Sequence, residues 1–139
     1  MNISIMPSNY HPSEDEDYMN DRQLGWFRKK LLNWRSELLA ESEETLYHLK
    51  EDTQQHPDQT DRATDESDRA LELRTRDRER KLIGKIDEAL RRIEDRSYGY
   101  CEETGEPIGL KRLEARPIAT LCLEAQERHE KMERVQRDD

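Results

Sequence analysis

One proline governs what this chain can fold into. Pro57, within His56-Pro57-Asp58-Gln59-Thr60-Asp61-Arg62-Ala63, is the only proline between Ser13 and Glu106. A proline lacks the amide hydrogen a helix interior needs and pushes the residue before it out of helical geometry. Long charged runs flank it on both sides. The octet therefore predicts the turn of a helical hairpin, with His56-Pro57 ending one helix and Asp58 or Thr60 capping the next. The turn also concentrates acid: between Glu51 and Asp68 lie seven carboxylates against one arginine, Arg62.

The flanking runs carry helical periodicity. Leu24, Phe27, Leu31, Trp34 and Leu38 recur at alternating spacings of three and four, which sets them on one stripe of a helix, and Leu46 and Leu49 continue it less regularly. Asn20 or Asp21 can cap this helix, which is expected to run to about Gln54, roughly 50 Å at 1.5 Å per residue. The second run extends from about Asp61 to Asp95, with Leu71, Leu73, Leu82, Ile86, Leu90 and Ile93 as its apolar stripe. Paired antiparallel, the two make a coiled coil. Its middle, Arg74 to Lys81, holds no apolar residue and carries five basic groups against two acidic ones. Charge pairs such as Asp77 with Lys81 can knit such a solvated face.

Composition fits this picture. Only 32% of the 139 residues are hydrophobic and 41% are charged. That is too lean for a large rounded core but enough for helices that each bury a narrow stripe. A net charge of −9 argues against wrapping nucleic acid, because neutralising phosphates needs a surplus of Lys and Arg. No apolar run approaches the ~20 residues of a membrane span. The first twenty residues lack both parts of a signal peptide, and the two cysteines are expected as free thiols in a reducing cytoplasm.

Beyond the second helix, Tyr98 to Gly109 holds three of the five glycines and a proline, a knot of turns with room for two very short strands. Pro117 suits the first position of a final helix, in which Ile118, Leu121, Cys122, Ala125, Met132 and Val135 lie near one face. The expected fold is mainly α. Residues 1–19 form a flexible tail and 20–33 the first part of a small globular base. Residues 34–95 form a projecting coiled-coil hairpin with its tip at 56–63. A finger-like region follows at 96–117, and a C-terminal helix at 118–139.

Cys101-x-x-Thr104, seventeen residues, then Cys122-x-x-Ala125 has the outline of a four-cysteine zinc site with the second ligand of each pair missing. Alanine cannot bind metal and a threonine hydroxyl is a poor ligand for a soft one. Neither His129 nor Glu103 has the spacing to complete the set. The expectation is no metal at these remnant positions, with the pocket filled by packing and the two thiols buried. A redox switch between Cys101 and Cys122 is the alternative.

The tip Asp58-Gln-Thr-Asp61-Arg-Ala63, the shaft from Leu71 to Ile86 (LELRTRDRERKLIGKI), and YGYC, IGLKRLEARP and LC between Tyr98 and Cys122 together resemble the DksA/TraR family of bacterial RNA polymerase-binding transcription factors. The likeness covers roughly Tyr18 to Met132. It implies a regulator that inserts its coiled coil into the polymerase secondary channel and destabilises open promoter complexes. It acts with guanosine tetraphosphate in the stringent response, lowering ribosomal RNA transcription and activating some biosynthetic promoters. By the resemblance, Asp58, Asp61 and Ala63 are the tip residues acting near the polymerase active site. Arg74, Arg78, Leu82 and Lys85 contact the polymerase from the shaft, and Leu82, Lys85 and Arg116 help form the alarmone pocket at the interface. The cysteine pattern is similar to the zinc-independent branch of the family, and Gln126 stands where well-known relatives place a lysine near the alarmone.

The resemblance further implies a non-enzymatic, monomeric, cytoplasmic protein that binds neither membrane nor specific DNA sequences directly. Two rivals make different predictions. A coiled-coil adaptor for another partner would be indifferent to Asp61. A polymerase-bound transcript cleavage factor would use the tip carboxylates to hold magnesium.

Overall fold

The computed structural model of the chain describes residues 9–52 and 59–138, with side chains described for 9–47 and 66–136. Among them are four helices: α1 (Asp21–Asp52), α2 (Gln59–Asp95), α3 (Leu110–Ala115) and α4 (Leu123–Asp138). The helices α1 and α2 form the expected hairpin. His56, Pro57 and Asp58 lie outside the described residues, as does the side chain of Leu49. Two compact units divide the fold. One gathers the described residues up to Leu31 with those from Glu88, and the other is Leu32–Asp87.

Helix α1 starts where a reciprocal cap is available. The Gln23 amide donates to the Asn20 side-chain oxygen at 2.9 Å, while the Gln23 side-chain oxygen accepts from the Met19 amide at 2.8 Å. One amide of the first turn, that of Gln23, and the amide of Met19 just ahead of the cap are thereby satisfied. Helix α2 stops at Asp95 because Arg96 adopts φ 65°, which turns the chain and lets the amides of Ser97 and Tyr98 both reach the Arg92 carbonyl.

In the hairpin unit Leu38 and Ile86 are buried, and Arg35 Nε donates to Asp87 Oδ1 at 2.8 Å. Along α2 the positions withdrawn from solvent include 69, 72, 76, 79, 83, 86, 90 and 93, an alternation of three and four over more than three heptads. Leu71 and Leu73, expected on this stripe, are instead 57% and 50% exposed. The seam passes through Glu72, Arg76 and Glu79, so polar side chains hold the positions that leucines were expected to fill. Glu79 is buried, and its Oε2 meets no hydrogen-bond donor among the described residues.

The base unit packs Leu24, Phe27 and Leu31 of α1 with Ala89 and Ile93 of α2, Tyr98, and Leu110 and Leu113 of α3, all buried. Phe27 lies 5.6 Å from Tyr98 and 5.0 Å from Trp26, ring centre to ring centre. The segment expected as a tail through residue 19 makes specific contacts from Tyr10 onward. Tyr10 donates to Glu16, His11 packs edge-on against Trp26, Gln23 Nε2 donates to the Ser13 carbonyl, and Met19 is buried.

Two further expectations change. The turn-rich region contains the one-turn-and-a-half helix α3, and in place of two short strands it has, among the described residues, a single antiparallel bridge between Tyr100 and Pro107. The last helix begins at Leu123, six residues after Pro117. Three carbonyls of this stretch are engaged elsewhere. Tyr98 donates to the Pro117 carbonyl, the Glu102 amide to Thr120 and Arg112 Nε to Leu121. A helix over these residues would need the same oxygens for its own ladder. Met132 and Val135, expected near one face of this helix with Cys122 and Ala125, are 63% and 58% exposed while those two are buried.

Candidate functional site

The hairpin presents its candidate residues on the face away from the seam. Arg74, Arg78 and Lys85 of α2 are exposed, and their spacing turns them roughly a third of a helical turn away from Glu72, Glu79 and Ile86. Leu82 lies half-buried at the flank of this stripe. Asp77 pairs with Arg80 at 3.3 Å, three residues on, not with Lys81 four residues on, so the basic run is partly knitted along its own surface. At the tip, Asp61 and Ala63 belong to the first turns of α2, with their side chains outside the described residues, and Asp58 lies outside them altogether.

In the base unit, Arg116 is exposed just after α3, its amide donating to the Arg112 carbonyl at 2.8 Å. With Lys111 and Arg112 it lines an open groove of about 490 Å³. Arg112 is committed to the Leu121 carbonyl, which leaves Lys111 and Arg116 as the exposed cations there. Gln126 is half-buried and donates to Glu130 Oε1 at 3.2 Å along α4.

The remnant cysteine positions converge. A loop closed by the Tyr100–Pro107 bridge and by the Cys101 amide donating to the Glu106 carbonyl at 2.8 Å holds Cys101 and Thr104, while Cys122 immediately precedes α4 and Ala125 lies in its first turn. Cys101, Cys122 and Ala125 are all buried, and Thr104 Oγ1 lies 3.9 Å from Cys122 Sγ. Burial pushes the Cys101 thiol up. The Thr104 hydroxyl and the amides of Cys122, Thr104 and Glu103 oppose this by hydrogen-bonding the sulfur, and together they bring its pKa down to about 6.

These residues do not fit a tetrahedral zinc centre. The four positions supply two sulfurs, one hydroxyl and one methyl group, and the fully buried Ala125 has no donor atom to serve as a fourth ligand. His129 and Glu103 do not make up the set. His129 Nε2 pairs with Glu103 Oε1, and Arg128 reaches the other Glu103 oxygen at 3.9 Å, so the carboxylate is engaged by α4. Among the described residues no group of three or more His, Cys, Asp or Glu side chains could hold a metal ion. No helix there is long and apolar enough to cross a membrane.

Two features escaped the reading of the sequence. The polar seam of α2 was concealed because its heptads are spelled with Glu and Arg, and it shows only if the three-four rhythm is followed without regard to polarity. The contacts of Tyr18 had no sequence signal, since they join residues more than eighty positions apart.

A helical hairpin joined to a turn-rich loop with two paired-cysteine positions defines a class of small helical proteins with a finger-like region. Matches to known families narrow it. Residues 23–93 match the model for "DnaK suppressor protein DksA, N-terminal domain", and residues 96–131 match "Prokaryotic dksA/traR C4-type zinc finger". The chain belongs to the DksA/TraR family. It is 67% identical to the RNA polymerase-binding transcription factor DksA of Caulobacter vibrioides, over 99% of this chain and 96% of that one. To the protein of the same name from Escherichia coli it is 46% identical, over 83% of this chain and 76% of the other. The solved structure of transcription factor DksA2 from Pseudomonas aeruginosa superimposes with a TM-score of 0.79 at 50% identity, covering 84% of this chain and 90% of that one.

Proposed function

We propose that this protein binds bacterial RNA polymerase by inserting the α1–α2 hairpin into the secondary channel, and that it destabilises open promoter complexes there. The observation that carries the reading is the stripe of exposed Arg74, Arg78 and Lys85 on one face of a continuous 37-residue helix. It lies in a chain whose relatives are named for polymerase binding. Guanidinium groups spaced along a rigid rod can pair bidentately with the carboxylates or phosphates of a channel wall, and helix α2 fixes their spacing. Leu82 adds an apolar contact beside them.

In this reading Asp58, Asp61 and Ala63 act close to the polymerase active site. Carboxylates there alter the field around its metal ions and basic loops without any bond being made or broken, so the protein is a regulator and not an enzyme. Leu82, Lys85 and Arg116 meet guanosine tetraphosphate at the polymerase interface. Gln126 supplies no cation to its phosphates, and the alarmone response is weakened accordingly. The protein works as a cytoplasmic monomer, and its finger keeps its fold without zinc, as the donor set of Cys101, Thr104, Cys122 and Ala125 favours.

The test is multi-round transcription from a ribosomal RNA promoter with bacterial polymerase, comparing wild type with Asp61→Asn, each with and without alarmone, and with zinc assayed on the same protein. Inhibition by the wild type alone, in protein free of zinc, supports the reading. Absence of polymerase binding would return the chain to a helical adaptor, and stimulated transcript cleavage to a cleavage factor.

A further inference from the structure

A finger that lacks half its metal donors needs another cross-link between its turns, and the segment preceding α1 is placed to supply one. The Tyr18 hydroxyl donates to the Gly99 carbonyl at 2.7 Å and accepts from the Gly109 amide at 2.9 Å. Gly99 and Gly109 bracket the loop that holds Cys101 and Thr104, and beside them the Ile108 amide donates to the Gly99 carbonyl at 2.8 Å. One phenol thus holds both ends of the loop. Its ring also packs edge-on against Tyr100, 5.6 Å away, beside the Tyr100–Pro107 bridge. Burial pushes the Tyr18 phenol up, so it remains a neutral group able to donate and accept together.

Tyr18 is held in turn. Gln23, fully buried on the first turn of α1, accepts from the Met19 amide with its oxygen and donates to the Ser13 carbonyl with its nitrogen. The chain between these two anchors is Ser13 to Met19, and Tyr18 sits at its end. Met19 seats against Gly99 so closely that a Cβ there would meet its Cγ at 2.8 Å, and Gly99 is at φ 94°. A side chain at 99 would therefore lift the segment away from the loop.

We infer that residues 13–19 are a strap, anchored by Gln23, whose Tyr18 hydroxyl closes the Gly99–Gly109 loop and keeps Cys101 and Cys122 shielded. The strap takes the structural part that a metal ion plays where four thiolates are present. The inference builds on the metal-free reading of the finger given above.

The experiment is the rate at which a disulfide thiol reagent labels Cys101 and Cys122 in the folded full-length protein, with and without a zinc chelator. Both thiols are buried, so labelling reports loop opening. Tyr18→Phe keeps the ring and removes both hydrogen bonds; it should raise the labelling rate roughly tenfold, the factor expected for losing a buried hydrogen bond. Gln23→Met should do the same, and the double variant should exceed either single one by much less than the product, because both act through one strap. Arg35→Ala, which breaks a pair in the other unit, should leave the rate near wild type.

Wild-type labelling that accelerates with chelator would defeat the metal-free reading. Labelling indifferent to chelator and to Tyr18→Phe would defeat the strap alone, as would an equal effect of Arg35→Ala. Should either variant fail to fold, hydrogen exchange on the wild type decides the matter. The Gly109 amide should be protected and should open together with the Met19 amide, and an unprotected Gly109 amide would overturn the inference.

Discussion

The Tyr98 hydroxyl donates a 2.7 Å hydrogen bond to the Pro117 carbonyl inside the base, spanning the whole finger loop and α3. Tyr98 is fully buried, and that burial pushes its phenol far above the ordinary value, so it is a neutral donor near neutral pH. Its removal leaves the carbonyl of the buried Pro117 without this donor. Tyr98→Phe is expected to cost about 1–3 kcal/mol, read as a fall in the urea midpoint at unchanged slope. An unaltered midpoint would mean that the Pro117 carbonyl finds water, and that the link before α4 is held by packing alone.

Capping of α1 gives a second expectation. Asn20 accepts the Gln23 amide at the start of a 32-residue helix that forms one side of the core. Asn20→Ala should destabilise the protein by about 1 kcal/mol, and Asn20→Asp should be close to neutral because its carboxylate accepts the same bond and favours the helix N-terminus. Thermal melts of the three proteins make the comparison. A loss on Asn20→Asp equal to that on Asn20→Ala would show that the side-chain bond contributes little.

The parts of the fold readable in the sequence were those governed by local rules. Pro57 and the three-four spacing of Leu24, Phe27, Leu31 and Leu38 announced the two long helices to within a few residues. The remnant Cys101, Thr104, Cys122 and Ala125 were visible as a knuckle because spacing alone aligns them. What failed depended on tertiary competition. Pro117 is a good first residue for a helix, yet the carbonyls after it are taken by Tyr98, Glu102 and Arg112 from elsewhere in the chain. Leu71 and Leu73 looked like core because they are leucines, whereas the continuous heptad assigns the inner positions to Glu72, Arg76 and Glu79. Tyr10 to Met19 has a polar, proline-bearing composition, and only its contacts with Trp26, Gln23 and the finger loop give it structure. The tip carboxylates Asp58 and Asp61 owe their assignment to family resemblance, for a capping role would explain the same residues.

That polar seam leads to a third expectation. Glu79 is buried with one oxygen lacking a donor among the described residues, at a position where a coiled coil gains from a branched apolar side chain. Glu79→Leu should raise stability by on the order of 1 kcal/mol, through added apolar burial and relief of the desolvated carboxylate. The urea midpoint measures it. A fall in stability would instead assign Glu79 a partner or a register-setting task in the hairpin.

The Cys101 thiol gives a pH dependence of definite sign. Burial raises its pKa, but the Thr104 hydroxyl and the amides of Cys122, Thr104 and Glu103 stabilise the thiolate more, and the folded value falls from the ordinary 9.0 to about 6. Between these two values the folded protein binds fewer protons than the unfolded chain, so stability rises with pH across that window. The contribution is complete above the unfolded value and is lost as pH falls through about 6. Urea melts across the window should show this rise in the wild type, and Cys101→Ser should flatten it, since a serine hydroxyl does not ionise there. Thr104→Val should shift the midpoint of the thiolate ultraviolet absorbance upward by removing the hydroxyl donor while retaining the amides. Parallel pH profiles for wild type and Cys101→Ser would show that the finger holds a neutral thiol, and that its amides are satisfied without a charge to receive them.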